Sequence, residues 1–291
     1  MLDFRTPTLD DRERIEAFVR ESGQIGCDVS FVNTYLWREH YDIRVAFTDD
    51  TYYKCYMMDG QVTGYVFPLT RGEIRPAVER ILDDARERGA APVIGLLNDR
   101  STEVIKCLYG DRVAIRMERD SFDYLYERAH LAELKGKKYH AKRNHISRFF
   151  REHSDVTVSE ISGENFADVL SVVERWTAAG GDTGELEIIR DALTHFDELG
   201  LFGLLLYVDG RAVAMSIGSA ISDAVCDVNF EKAVEINEAY AVINNEFAKH
   251  FNTFTFFNRE EDMGLEGLRK SKLSYHPDIL LRKSTAVFRE E

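Results

Sequence analysis

Asp59-Gly60 and Asp209-Gly210 stand 150 residues apart, each between two apolar, strand-like runs. An Asp-Gly pair in that setting is the strongest local signal for a tight hairpin, because both turn residues take positive φ, which Asp and Gly tolerate. Tyr52–Met58 turns into Val62–Phe67, and Leu201–Val208 turns into Ala212–Ile217. The elements around the hairpins recur as well. In the first half, helical periodicity over Leu9–Glu21 and a strand at Ile43–Phe47 come before the turn. A helix at Ile74–Arg88, a strand at Val93–Leu97, a helix at Ser101–Leu108 and strands at Val113–Arg116 and Tyr124–Tyr126 come after it. The second half runs from a strand at Val156–Ile161 through helices at Glu164–Thr177 and Glu185–Leu199 into its hairpin. A third antiparallel strand at Ala224–Phe230, a helix at Ala239–His250, a strand at Thr253–Phe257, a helix at Gly264–Leu273 and a strand at Asp278–Lys283 close it. Antiparallel runs mixed with helices predict an α+β fold with mixed, mostly antiparallel sheets. The recurrence predicts a duplication, with one lobe over 1–134, a bridging helix over 135–151 and a second lobe over 152–291.

The bridge is chemically unlike the rest. "KGKKYHAKRNHISRFFR", Lys135–Arg151, holds seven Lys or Arg and no acid, in a chain of net charge −14. The other residues therefore sum to −14 − 7 = −21, a surface that repels nucleic acid and anionic lipid in general. A polyanion must be met locally. On a helix at 100° per residue, Tyr139, Ile146, Phe149 and Phe150 share one arc, with Lys142 inside it and Arg143 at its edge. Lys137, Arg148 and Arg151 point away. Cations on the apolar arc fit a cleft that meets an anion, a buried ion pair, or incidental placement.

A second stretch, "NREEDMGLEGLRKSKLSYHP", follows an apolar strand, so its polar residues emerge at a strand's C-terminal end, where open sheets place their sites. Leu265, Leu268, Arg269 and Lys272 share a helix face, again mixing cations with apolar residues. Glu261 and Asp262 can act as helix caps, which leaves Asn258 and Arg259 unexplained.

Other classes are excluded by simple counts. The longest apolar run, Leu201–Val208, is far short of the ~20 residues that span a bilayer. The start, MLDFRTPTLDD, lacks the basic and apolar regions of a signal peptide. Cys27, Cys55, Cys107 and Cys226 form no ligand spacing, so neither a disulfide framework nor a metal is expected, and the cytoplasm is the expected compartment.

"LKGKKYHAKRNHISRFF" and "NREEDMGLEGLRKSKLSYHP", with "SFVNTYLW" (Ser30–Trp37) and "FEKA" (Phe230–Ala233), resemble the signature segments of the phosphatidylglycerol lysyltransferase C-terminal domain family. The resemblance implies two tandem acetyltransferase-like (GNAT-like) lobes, as in the peptidoglycan-bridge aminoacyltransferases. It implies transfer of an aminoacyl group from an aminoacyl-tRNA to a hydroxyl or amine of a small-molecule, peptide or lipid-headgroup acceptor. Members that modify lipid carry a multi-span membrane region ahead of this domain; none stands in this sequence, and a stand-alone member is expected.

An aminoacyl ester is already activated, so the site must position the acceptor, remove its proton and stabilise the oxyanion. No nucleophile–base arrangement is evident, which favours direct transfer. Within the resemblance, Glu231, Asn258, Arg259 and Glu261 are the candidate catalytic residues. Glu231 would be a base or an ammonium holder, with pairing to Lys232 or Arg269 as the structural alternative. Lys142, Arg143, Asn144, Arg269, Lys270, Lys272 and Tyr275 are the candidates for donor or substrate binding. The basic helix and Asn258–Tyr275 are expected to converge on one cleft between the lobes. Acetyl-CoA is the alternative donor, although the joint where its pyrophosphate would rest, Asn229–Asn244, has no glycine and three glutamates and is poorly built for that anion. A non-catalytic protein that holds a small ligand is the other alternative.

Overall fold

The computed structural model describes residues 1–289. Both hairpins turn through the left-handed region, with φ of 51° and 77° at Asp59 and Gly60 and of 51° and 73° at Asp209 and Gly210. The chain divides into two compact units. The first is Met1–Asp123 with Glu261–Glu266 and the segment from Leu280 on; the second is Tyr124–Glu260 with Gly267–Ile279.

In the first unit α1 (Arg12–Ser22) and α2 (Phe31–Leu36) precede β1 (Ile43–Phe47), β2 (Thr51–Met58), β3 (Gln61–Val66) and the short β4 (Leu69–Thr70). Then come α3 (Ile74–Arg88), β5 (Val93–Leu97), α4 (Asp99–Tyr109) and β6 (Val113–Met117). The chain continues through β7 (Asp123–Glu127), α5 (Arg128–Glu133) and α6 (His140–Glu152), the basic helix. The second unit adds β8 (Val156–Glu160), α7 (Phe166–Ala178), α8 (Thr183–Thr194), β9 (Phe202–Val208), β10 (Arg211–Ala220) and β11 (Val225–Ala233). Its series ends with α9 (Ala239–His250), β12 (Phe256–Asn258), α10 (Glu266–Leu273) and β13 (Ile279–Leu281), and β14 (Ser284–Phe288) follows.

The two sheets have one plan. The first runs β1-β2-β3-β5-β14-β6, with β4 on β2; the second runs β13-β7-β12-β11-β10-β9-β8. Each contains one parallel pair at the same place, β3 with β5 and β11 with β12. Both are mixed, mostly antiparallel sheets, as expected of an α+β fold. β14, last in sequence, lies between β5 and β6. β7 lies between β12 and β13. Each sheet thus takes one inner strand from the other half of the sequence. The expected boundaries at 134 and 152 do not follow this exchange, and β14 was not foreseen as a strand.

Apolar periodicity explains the helices that hold the site. In α6, Tyr139 just before it and Phe149 within it are buried, while Ile146 is partly buried against the second unit's core. Phe150, placed on the same arc from the sequence, is exposed. α9 buries Ala239, Val242, Ile243, Phe247 and Ala248 in the same core.

Candidate active site

Glu231 stands on β11 directly opposite Ser216 of β10. Its Oε1 meets Arg259 Nη2 at 2.7 Å, with both side chains about nine-tenths buried. Asn244 of α9 donates its Nδ2 to Oε2 at 3.1 Å. Arg259 follows β12, and its backbone N–H bonds the Tyr124 carbonyl at 2.9 Å, so the guanidinium is set by the sheet rather than by a free loop. Although burial works against its charge, the adjoining Glu231 carboxylate holds the guanidinium firmly protonated.

Tyr275 supplies the floor. It is buried, and its ring centroid lies 4.9 Å from the Arg259 guanidinium and 3.7 Å from Lys142 Nζ. Tyr126 backs the guanidinium at 5.9 Å. Lys142 has no ion pair or hydrogen bond among the described residues. Burial, and then the neighbouring Arg259 charge, pushes its ammonium down to about 8, with Glu231 opposing. An aromatic face attracts a cation but does not replace a carboxylate.

Three buried polar atoms around Glu231 have no partner among the described residues, Arg259 Nη1, Asn244 Oδ1 and Oγ of Ser216, the residue opposite Glu231. The orientation of the Asn244 amide follows from its neighbour, since a carboxylate requires a donor. Its oxygen is then left over. Buried polar atoms are nearly always hydrogen-bonded, so the unmet Arg259 donor and Asn244 acceptor are uncommitted hydrogen-bonding capacity beside a single carboxylate.

Of the other candidate residues, Lys272 is buried and donates to the Arg259 carbonyl at 2.5 Å, which fixes that turn rather than a phosphate. Arg143 gives both its bonds to the carbonyls of Leu134 and Gly136, at 2.5 and 2.7 Å, and closes the turn after α5. Asn144 is exposed and lies 3.2 Å from His140 Nε2. Asn258 is buried and accepts from the Glu260 N–H at 2.8 Å, a turn of structural character. Arg269 is partly buried and Lys270 exposed on α10. Glu261 belongs to the first unit.

There it meets a cluster the sequence reading missed. Cys27, Asp123 and Glu261 bring their ligand atoms within 4.8 Å of one another. The cation they face is Lys283, whose Nζ lies 2.6 Å from both Asp123 Oδ1 and Asp28 Oδ1 and 3.6 Å from Cys27 Sγ. Lys54, buried beside them, donates to the Asp28 carbonyl. A lysine inside the otherwise uncharged strand "TYYKCYMM" was the available signal. Asn244 and Tyr126 were also missed; neither carries a charge to draw attention.

The chain matches the family described as phosphatidylglycerol lysyltransferase, C-terminal, over residues 19–287. A conserved protein of unknown function from Bacteroides thetaiotaomicron is 34% identical, covers 99% of this chain and 100% of its own, and superposes with a TM-score of 0.93. The C-terminal domain of a putative lysylphosphatidylglycerol synthetase from Agrobacterium fabrum is 15% identical over 97% of this chain and 92% of that one, with a TM-score of 0.70. A tandem GNAT protein from the clavulanic acid biosynthesis pathway, 10% identical with full coverage of both chains and a TM-score of 0.50, shares the fold. An uncharacterised protein of Mycoplasmoides gallisepticum is 21% identical over 57% of this chain, and that match spans 56% of the relative's length. No described helix is long and apolar enough to cross a membrane. With nearly its whole length matched, the chain belongs to the phosphatidylglycerol lysyltransferase C-terminal domain family.

Proposed function

We propose that the protein is an aminoacyltransferase that takes its aminoacyl group from an aminoacyl-tRNA and delivers it to an amine or hydroxyl of a small-molecule, peptide or lipid-headgroup acceptor. The observation that carries this is the unmet donor on Arg259 and the unmet acceptor on Asn244 beside Glu231. An aminoacyl ester presents a carbonyl oxygen that accepts and an α-ammonium that donates. Arg259 Nη1 and Asn244 Oδ1 match those functions one for one, and Glu231 complements the ammonium charge. An acetyl group offers only the first.

The helix N-termini point the same way. Acyl-CoA pyrophosphate is held where helix N–H groups face an anion. Here Glu238, the residue that precedes α9, is paired with Arg148, and Glu235 shortly before it is paired with Arg175 and Arg211. In the first unit Glu73 precedes α3 at its N-terminal cap position. Carboxylates at these positions complement the helix dipole and repel phosphate. Cations for the donor's phosphates are instead available on exposed surface of the second unit, at Lys137, Lys138, Arg151 and Lys270.

The test is transfer of labelled amino acid from a pool of charged tRNAs to amine and hydroxyl acceptors. Label in acceptor, lost in Arg259→Lys, supports the reading. Micromolar binding of acetyl-CoA by calorimetry, lost on substitution within Asn229–Asn244, would replace it with the acetyl-transfer alternative.

A further inference from the structure

We propose that Lys142 is the proton shuttle of this transfer, acting as a free amine beside the Arg259–Glu231 pair. The inference rests on the aminoacyl-transfer reading and adds to it the group that moves the proton.

The argument begins with what else could accept one. Glu231 has both oxygens engaged, one by Arg259 and one by Asn244. Tyr275 is buried, and burial first of all pushes its phenol far up, so it stays neutral. His145, on the same helix, is exposed, and its ring lies 3.4 Å from Arg148. Arg259 is held as a cation beside Glu231, and Arg143 is committed to two backbone carbonyls. Lys142 is different in kind. Its amine is partly buried, lies over an aromatic ring, and has a guanidinium rather than a carboxylate as its nearest charged company on that ring. The groups that face it are Arg259 after β12, Glu231 on β11 and Tyr275 after α10, with Arg143 and His145 on α6 itself. Only Glu231 among them is an anion, and it is bound to Arg259. Desolvation and a like charge both favour the neutral amine, and the midpoint of about 8 lies near the pH at which a general base works best.

The chemistry balances without another reactant. The acceptor nitrogen or oxygen attacks the ester carbonyl carbon, and the new bond to carbon forms. Its proton passes to Lys142 Nζ, while Arg259 Nη1 donates to the oxyanion. The carbon–oxygen bond to the tRNA ribose then breaks, and the departing oxygen takes the proton back from Lys142. The products are the acylated acceptor and a free tRNA hydroxyl, with Lys142 returned to its starting form.

The experiment has two arms, and the first needs no substrate. In protein carrying labelled lysine, Nζ and Cε resonances are followed against pH, with the Lys142 signal identified by its loss in Lys142→Arg. Lys54 is likewise lowered to about 8 by burial, and Lys54→Arg removes its signal separately. A Lys142 midpoint near 8 supports the inference, and one near the ordinary 10.5 overturns it, whichever donor the protein uses. The second arm is kinetic. Lys142→Met should lower kcat by about 10²–10⁴-fold and abolish the rise in rate with pH. Added primary amines should restore activity in order of their basicity. Lys142→Arg keeps a cation over Tyr275 and should remain inactive. Full activity of Lys142→Arg, or a Lys142→Met profile that keeps the wild-type pH dependence, would show that the amine only packs. Failure of every aminoacyl-tRNA as donor would overturn the transfer reading and, with it, this role.

Discussion

Lys283 in the first unit and Lys142 in the second are both taken out of water, with opposite results. Lys283 is 3% exposed and touches two carboxylates at 2.6 Å each. Burial lowers its basicity, but Asp123 and Asp28 more than offset this, and the ammonium is held well above the usual range. Lys142 has a ring where Lys283 has carboxylates, and its charge is disfavoured. Burial alone therefore decides nothing about a lysine; the number of uncommitted anions beside it does. The first arrangement is a structural cation, fixed in every relevant pH range, and the second is a chemical group. Lys54 marks the boundary between them. It too is driven down by burial, yet its amine is committed to the Asp28 carbonyl, with Thr34 Oγ1 at 3.4 Å.

The contrast can be broken by removing each cation. Lys283→Met removes the cation that Asp123 and Asp28 share, and the expected loss is about 3–5 kcal/mol, read from the urea midpoint. A loss under ~1 kcal/mol would mean that Lys283 is no more structural than Lys142. Lys142→Met should do the reverse. The folded pKa of Lys142 lies below its unfolded value, so between about 8 and 10.5 the unfolded chain binds more protons and wild-type stability rises with pH. The variant lacks that rise. At pH 7 it should be more stable by about 1 kcal/mol, allowing for the side chain's partial exposure, and the advantage should vanish by pH 10.5. Urea titrations at the two pH values measure both numbers. The smallest effect on the fold is expected at exposed cations. Lys137→Glu with Lys270→Glu should shift stability by no more than about 0.5 kcal/mol while flattening the salt dependence of tRNA binding by about 0.7 in slope per lost contact. An unchanged slope would remove these lysines from the donor surface.

Much of the second unit's site was legible because its cations break a pattern. Lys142 on the apolar arc of α6, and Lys272 on that of α10, are misplaced for a solubilising helix, and both are found against aromatic rings. The same pattern could not tell a free amine from one that closes a turn, so Lys272 and Arg143 were assigned to the donor when their bonds go to backbone carbonyls. Glu261 was grouped with Arg259 because they are two residues apart. The chain passes from one unit to the other between residues 260 and 261, and Glu261 meets Cys27 while Arg259 meets Glu231. The Lys283 cluster draws on segments near residues 27, 54, 123, 261 and 283, and periodicity within one segment carries no information about the others. β14 was lost for a related reason. "STAVF" is short, and its strand character comes from pairing with β5 and β6, both more than 160 residues earlier.

That late strand has a bearing on how the chain can be made. A ribosome delivers β6 by Met117 and β14 only by Phe288, an interval of 171 residues, or roughly 9–34 s at about 5–20 residues per second. Throughout it, β5 and β6 each present an edge that β14 will cover, and such edges invite pairing with other chains. β7 waits in turn for β12 and β13. The two sheets cannot be finished one half at a time during synthesis, and both are completed by strands that lie between Phe256 and Phe288.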